Sequence, residues 1–244
     1  MSRPYPSATM GKPCLLAAEE SAQREIAAEV LCGVVDPDGS QDLPELADFG
    51  SPREANHIDL RTWFPEEVRS DADGKPRKIE LELGTGKGTF LAQEAPLHDD
   101  SLYLGIEWAA AFYKYAADRM RRLNMTHVQM LRADGVVFIR NYVPDESVHC
   151  FHWYFPDPWP KARHHKRRTF QQPFLRQPLH RILEPGGRIR VATDHLEYWD
   201  WMREDADQVR DLYDIEPFVS TASAQEGELV GTNFERKYIE EGRE

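Results

Sequence analysis

KIELELGTGKGT, residues 78–89, decides the fold. KIELEL is a short alternating, β-prone run, and it ends in the glycine cluster Gly84, Gly86 and Gly88. TFLAQEA, immediately behind, has helical character. A strand that turns through glycines into a helix opens a strand–helix alternation, and the rest of the chain continues it. LYLGIE (102–107) reads as a second strand and AAAFYKYAADRMRRL (109–123) as an amphipathic helix. HVQMLRAD (127–134), the helical GVVFIRNYV (135–143) and the strand SVHCFHWYF (147–155) follow. Next come a helix around TFQQPFLRQPLHRIL (169–183), a stop at Pro185-Gly186-Gly187, the strand RIRVATD (188–194) and the helix LEYWDWMREDADQV (196–209). Helices of this length between strands indicate an α/β fold with a doubly wound, mostly parallel sheet.

In such sheets ligands lie outside the carboxyl ends of the strands. The residues at those ends are Glu82 with its glycine loop, Glu107, Asp134, Asp157 and Asp194, so each strand delivers an acid. The loop spacing G-x-G-x-G matches neither the dinucleotide fingerprint nor a P-loop. It either lets a ligand approach bare backbone or is a tight strand-to-helix turn with no ligand. Glu107, about twenty residues on, stands where an acid accepts hydrogen bonds from ribose hydroxyls. Acids at both positions would repel a pyrophosphate and suit a nucleoside that carries an amine. That points to S-adenosylmethionine, with Asp134 placed to meet the adenine amine or, alternatively, to cap the helix that starts at Gly135.

The charge distribution adds a second feature. The formal net charge is −12 over 244 residues, which argues against broad nucleic-acid binding but leaves room for a local patch. FPDPWPKARHHKRR (155–168) supplies one: Asp157 sits between prolines that restrict its backbone, and Lys161, Arg163, Lys166, Arg167 and Arg168 follow within a few positions. The alternatives are a plain rigid turn for the first half and a solvated charged face for the second. Trp159 either stacks on a base or packs against the turn. His164 and His165 have no third ligand at suitable spacing, so no metal is expected.

Three cysteines without a CxxC pair, Cys14, Cys32 and Cys150, suggest neither a disulfide framework nor a zinc ribbon. No apolar run approaches a membrane span and CLLAA is shorter than a signal-peptide core, so a cytoplasmic protein without a membrane partner is expected. Residues 1–54 read as a mobile extension with one helix (LLAAEESAQREIAAEVL, 15–31), and 55–244 as the principal domain.

ELGTGKG, GIE, RADG, FPDPWPKARHHKRR, LEPGG, ATDH and TNFERK occur in the order seen in the bacterial tRNA (guanine-N7)-methyltransferases, the TrmB family, which the chain resembles from about Ile58 to Gly242. The central motif is highly specific; the glycine loop and LEPGG are shared with many methyltransferases. The resemblance implies a class I (Rossmann-like) S-adenosylmethionine-dependent methyltransferase that methylates N7 of a guanine in the tRNA variable loop, as a monomer or homodimer. It also implies that Glu82, Gly84, Gly86, Glu107, Asp134 and Asp157 surround the methyl donor. Lys161, Asp194, Thr232, Asn233, Phe234 and Glu235 would line the guanine side, while Arg163, Lys166, Arg167 and Arg168 would hold tRNA phosphates. Asp157 or Asp194 is the candidate acceptor for the guanine N1 and N2 hydrogens. Family members usually continue past the TNFERK-like segment into a final strand, so ending at Glu244 leads one to expect that strand to be missing or cut short.

Three other functions compete. A methyltransferase acting on another RNA or a small molecule would share the donor loop, though a small-molecule enzyme has no need of KARHHKRR. A nicotinamide oxidoreductase would want the other glycine spacing. A tRNA-binding protein without turnover would have lost one of the strand-end acids.

Overall fold

The computed structural model describes residues 57–232 and 235–236. The expected extension and its helix, as well as the expected loss of a last edge strand, lie outside the described residues. β1 (Lys78–Leu83), β2 (Ser101–Glu107), β3 (Val128–Arg132), β4 (Val148–Tyr154) and β5 (Leu183–Ala192) form one parallel sheet in the order β3-β2-β1-β4-β5. The chain lays strands outward from β1 on one side and then returns to start β4 on the other. The switch point is therefore between β1 and β4, and the cleft there opens at their carboxyl ends. The connecting helices are α1 (Thr89–Glu94), α2 (Ala110–Arg122) and α3 (Gly135–Asn141), and α6 (Leu196–Asp207) follows β5. Among the described residues no helix is long and apolar enough to cross a membrane.

Both faces of the sheet are covered, which changes the meaning of the alternation in KIELEL. Ile79 and Leu81 enter one core with Leu102, Leu104, Phe151 and Trp153. Glu80 and Glu82 point to the opposite face, under Phe90 and α2, and are buried rather than solvated. A buried carboxylate needs partners or must neutralise. Glu80 has them: Ser101 Oγ donates to its Oε1 at 2.7 Å, and His152 Nε2 lies 2.6 Å from its Oε2. His152 Nδ1 in turn lies 2.9 Å from the Tyr154 hydroxyl. Burial alone would raise the Glu80 carboxyl, but the bonds from His152 and Ser101 and the His152 charge outweigh it and hold it below the ordinary range. Glu82, two residues on, has no such set.

Two elements differ from expectation. The helix across 169–183 is a composite of α4 (Gln172–Phe174), a π-turn (Leu175–Leu179) and α5 (His180–Ile182). Pro178 inside it has no N–H and crowds the preceding turn, and the wider π-turn accommodates that defect. Nor do Pro185-Gly186-Gly187 precede the last strand, because β5 begins at Leu183 and runs through them. Leu183 pairs with Val148 and Arg188 with Cys150, so five steps on β5 face two on β4 and the Pro-Gly-Gly run bulges out.

Candidate active site

A cavity of about 730 Å³ opens at the carboxyl ends of β1, β2, β3 and β4. Its wall includes Glu82, Gly84, Gly86, Glu107, Asp134 and Asp157, so the strand-end acids of the first four strands do converge.

One half of the cavity is shaped by the turn after β1. Gly84 and Gly86 have φ of 80° and 52°, and a Cβ on either would meet nothing within 4 Å, so the strained conformation leaves bare backbone facing space. Gly88 serves packing instead: a Cβ there would come within 2.8 Å of Met120 Cε and 3.0 Å of Ala116 Cβ on α2. Glu107 braces the turn, accepting from Gly86 N–H through Oε2 and from Ala109 N–H through Oε1, each at 2.8 Å. Burial raises the Glu107 carboxyl, these backbone bonds partly offset that, and the Asp157 charge adds to the rise. Asp134 accepts from Val136 and Val137 N–H through Oδ1 at 2.9 and 3.1 Å. It is thus a helix cap that also lines the cavity, using one oxygen for the cap.

Glu82 is the unusual member. It is 4% exposed, and its Oε2 is buried with no hydrogen-bond partner. Burial, with a smaller contribution from the Glu107 charge, pushes its carboxyl up to about 8. A carboxyl in that state is poised to ionise when a cation arrives beside it.

The other half is the turn after β4. Phe155 N–H donates to Ala192 O at 2.7 Å, locking the turn to β5, and both Phe155 and Trp159 take left-handed backbone conformations, φ 52° and 44°. Asp157 lies between them, exposed on the cavity wall. The 3₁₀ turn Ala162–Arg167 follows, with Lys161, Arg163, Lys166 and Arg167 all exposed. Arg167 also reaches the cavity and lies 4.8 Å over the Trp159 ring. Trp159 thus lines the cavity while packing under that arginine.

Arg168 corrects the expectation that the whole cationic run holds phosphate. Its side chain is 0% exposed, and its two terminal nitrogens form a fork with Glu197 on α6 at 3.0 and 2.8 Å. Its Nε donates to Pro158 O at 2.7 Å, and its guanidinium lies over Tyr198 and Trp201. With donors and faces engaged inside the protein, it has nothing to offer a phosphate. Instead it pins the proline-flanked turn to α6 one residue beyond Asp157.

Other expected residues are distributed unevenly. Thr232 lines the cavity. Asp194 does not; it is 9% exposed with Oδ2 buried and unpartnered. Glu235 faces its own loop, accepting from the backbone N–H of Leu229, of Val230 at 3.0 Å and of Gly231 at 2.8 Å, which leaves little of it for a guanine. Asn233 and Phe234 lie outside the described residues. Among the described residues, the expectation of no metal meets one cluster of suitable atoms, Glu80, Cys150 and His152, within 4.8 Å of one another. There the Glu80 and His152 atoms already bond to each other and to Ser101 and Tyr154. Glu94 and Glu197, which hold loops around the site, were invisible in the sequence because each looks like any helix-surface acid.

A protein-family profile described as "Putative methyltransferase" matches residues 76–244. A tRNA (guanine-N(7)-)-methyltransferase of Corynebacterium diphtheriae is 38% identical over 165 residues, 67% of this chain and 57% of the relative. One from Streptococcus thermophilus is 32% identical over 192 residues, 78% of this chain and 89% of the relative. The chain thus spans little more than half the length of the first of these. Among solved structures, the aminoglycoside resistance methyltransferase NpmB1 aligns with a TM-score of 0.42 at 18% identity, covering 63% of this chain and 75% of that one.

Proposed function

Since the chain belongs to the tRNA (guanine-N7)-methyltransferase family, we propose that it transfers a methyl group from S-adenosylmethionine to N7 of a guanine in the tRNA variable loop. The strand order 3-2-1-4-5 is the class I methyltransferase arrangement. The observation that carries the proposal is the polarity of one cavity: a buried, unpartnered carboxylate at the glycine-loop end, and at the other Asp157 beside an exposed row of cations.

The residues fit the donor. Glu82 has a buried oxygen that lacks the cationic partner an amino group would be, Gly84 and Gly86 leave room against bare backbone, and Glu107 and Asp134 add acceptors for hydroxyl and amine groups. When bound, S-adenosylmethionine supplies an electrophilic methyl on a sulfonium. Guanine N7 carries a lone pair and no proton, so the protein has no proton to move there and its contribution is proximity and alignment. Asp157 accepts from the guanine N1 and N2 hydrogens, which selects the base and pushes electron density toward N7. Lys161, Arg163, Lys166 and Arg167 hold backbone phosphates. Drawing the base out of its tertiary contacts costs roughly a few kcal/mol, offset by those contacts and by stacking on the aromatic wall.

The test is incubation with labelled S-adenosylmethionine and unmodified bulk tRNA, followed by mapping of the methylated nucleoside. N7-methylguanosine in the variable loop is expected; label in another base, or in small molecules only, would sink the assignment.

Two further outcomes follow. Glu82, raised to about 8 in the free protein, must ionise to meet the donor's amine, so donor binding should release a proton at neutral pH. Affinity for S-adenosylmethionine should climb as pH rises toward about 8, by at most tenfold per unit, and fall again above that as the donor's own amine loses its proton. The unliganded protein behaves oppositely: an acid whose folded pKa is raised adds stability that is full below its unfolded value and is lost as pH rises toward 8. Calorimetry in buffers of different ionisation enthalpy checks this, and a Glu82→Gln variant should show no such proton release. For tRNA, Lys166→Ala and Arg167→Ala should each lower the slope of log affinity against log salt by about 1. An unchanged slope would remove that residue from the phosphate site.

A further inference from the structure

We propose that Glu94 is a positioning residue that ties the donor-loop helix to the segment that delivers Thr232 to the cavity wall, so that these two parts of the site are built together. This rests on the methyl-transfer reading above.

α1 begins directly behind the glycine loop, with Gly88 as its N-cap, and Glu94 closes its last turn. Glu94 is 5% exposed and does not line the cavity. Its carboxylate reaches across to the 220s: Oε1 accepts from Ala222 N–H at 3.1 Å and Oε2 from Ser223 N–H at 2.7 Å. His98 Nε2, one turn on, lies 3.0 Å from Oε1. Gln93 makes a second tie, donating to Gly231 O at 3.3 Å and accepting from Arg236 at 2.8 Å. Arg236 also pairs with Glu228, at 2.5 Å to Oε1, and Glu228 accepts from Gln225 N–H at 2.8 Å.

Residues 214–232 contain neither helix nor strand; Thr221, Ala224 and Glu228 N–H find backbone carbonyls within the segment, while Ala222 and Ser223 N–H are met by the Glu94 side chain. A carboxylate suits two adjacent N–H groups because it offers two acceptor oxygens, where a carboxamide offers one. Through Glu94 and Gln93 the segment is fastened to α1 at both ends of the stretch that delivers Thr232 to the cavity wall. Any shift of the glycine loop on donor binding is carried to that wall through six residues of helix.

The experiment is hydrogen exchange on the full chain with and without S-adenosylhomocysteine, for wild type, Glu94→Gln and Glu94→Ala, alongside steady-state kinetics. In wild type, the amides of Ala222 and Ser223 should be protected, and S-adenosylhomocysteine should increase protection across 222–231. Glu94→Ala should lose that protection and its response to ligand, and Glu94→Gln, with one acceptor left for two N–H groups, should lose it at one of the two amides and respond more weakly. Their donor affinity should stay within about twofold of wild type while KM for tRNA rises roughly tenfold in Glu94→Ala, which loses both charge-assisted bonds to the segment, and by less in Glu94→Gln. The milder Glu94→Gln keeps one acceptor and guards against a folding defect in Glu94→Ala. Ligand-dependent protection that is the same in wild type and variants, or a KM for tRNA within twofold of wild type in both, overturns the proposal. The exchange arm needs no turnover. If wild type methylates no tRNA, ligand-induced protection that vanishes in Glu94→Ala still upholds the tie, and only the substrate assignment fails.

Discussion

Asp157→Asn should lower methyl transfer by at least about a hundredfold while tRNA affinity stays within about twofold of wild type. The substitution keeps size and shape, and Pro156 and Pro158 keep the backbone where it is, so the change is confined to the acceptor. A carboxylate accepts two hydrogen bonds from the N1 and N2 edge of guanine; a carboxamide accepts one and sets an N–H against the other donor. The base then loses its register toward the methyl donor, and misplacement by about 1 Å is enough for a loss of this order. The proposed phosphate contacts lie on the following turn and are untouched, so binding should persist. Asp194, the other acid considered for this role, is buried off the cavity wall, which is why the larger effect is assigned to Asp157. Single-turnover rates with pre-bound tRNA, beside filter binding, separate the two quantities. Normal turnover in Asp157→Asn would sink the role.

Arg168→Ala should behave unlike every other cation in the run. Removing it leaves Pro158 O without its donor, empties the space between Tyr198 and Trp201 and strips Glu197 of its forked partner, leaving His165 at 3.7 Å. The expected loss is about 2–4 kcal/mol, below that for a wholly buried pair because Glu197 keeps half its side-chain surface in water. That corresponds to a fall of roughly 4–16 °C in Tm. Turnover should fall with it, since the turn that aims Asp157 is no longer pinned to α6. The slope of tRNA affinity against salt should stay at the wild-type value. Arg167→Ala should do the reverse, with a flatter slope and a Tm within about 2 °C of wild type. A reduced salt slope together with an unchanged Tm for Arg168→Ala would return that residue to the phosphate surface.

The contrast between Arg167 and Arg168 marks the limit of what could be read from the chain alone. The strand-glycine-helix reading of residues 78–94 and the order of the later elements were legible because period and punctuation are local properties. Convergence of Glu82, Glu107, Asp134 and Asp157 on one cavity follows from topology, since parallel strands present their carboxyl ends together. What was not legible depends on the direction of a side chain within a turn. Consecutive arginines look alike in sequence, yet one rotates outward over Trp159 and the next inward against α6. Alternation in KIELEL did not say that both faces of the sheet are covered, and that coverage is what makes Glu80 and Glu82 buried acids. Pro178 and the Pro-Gly-Gly run read as breaks, but a π-turn and a bulge absorbed them without ending the element.

The left-handed backbone at Phe155 and Trp159 sets stability against aim. Bulky residues in that region cost about 1–2 kcal/mol each relative to a relaxed turn, and glycine would adopt it freely. Substitutions selected for thermostability alone would therefore gravitate to these two positions and relieve them. The relieved turn would have more conformations available, and Asp157, midway between the two, would point in more than one direction. A hardier variant of this protein obtained by that route would be a slower one.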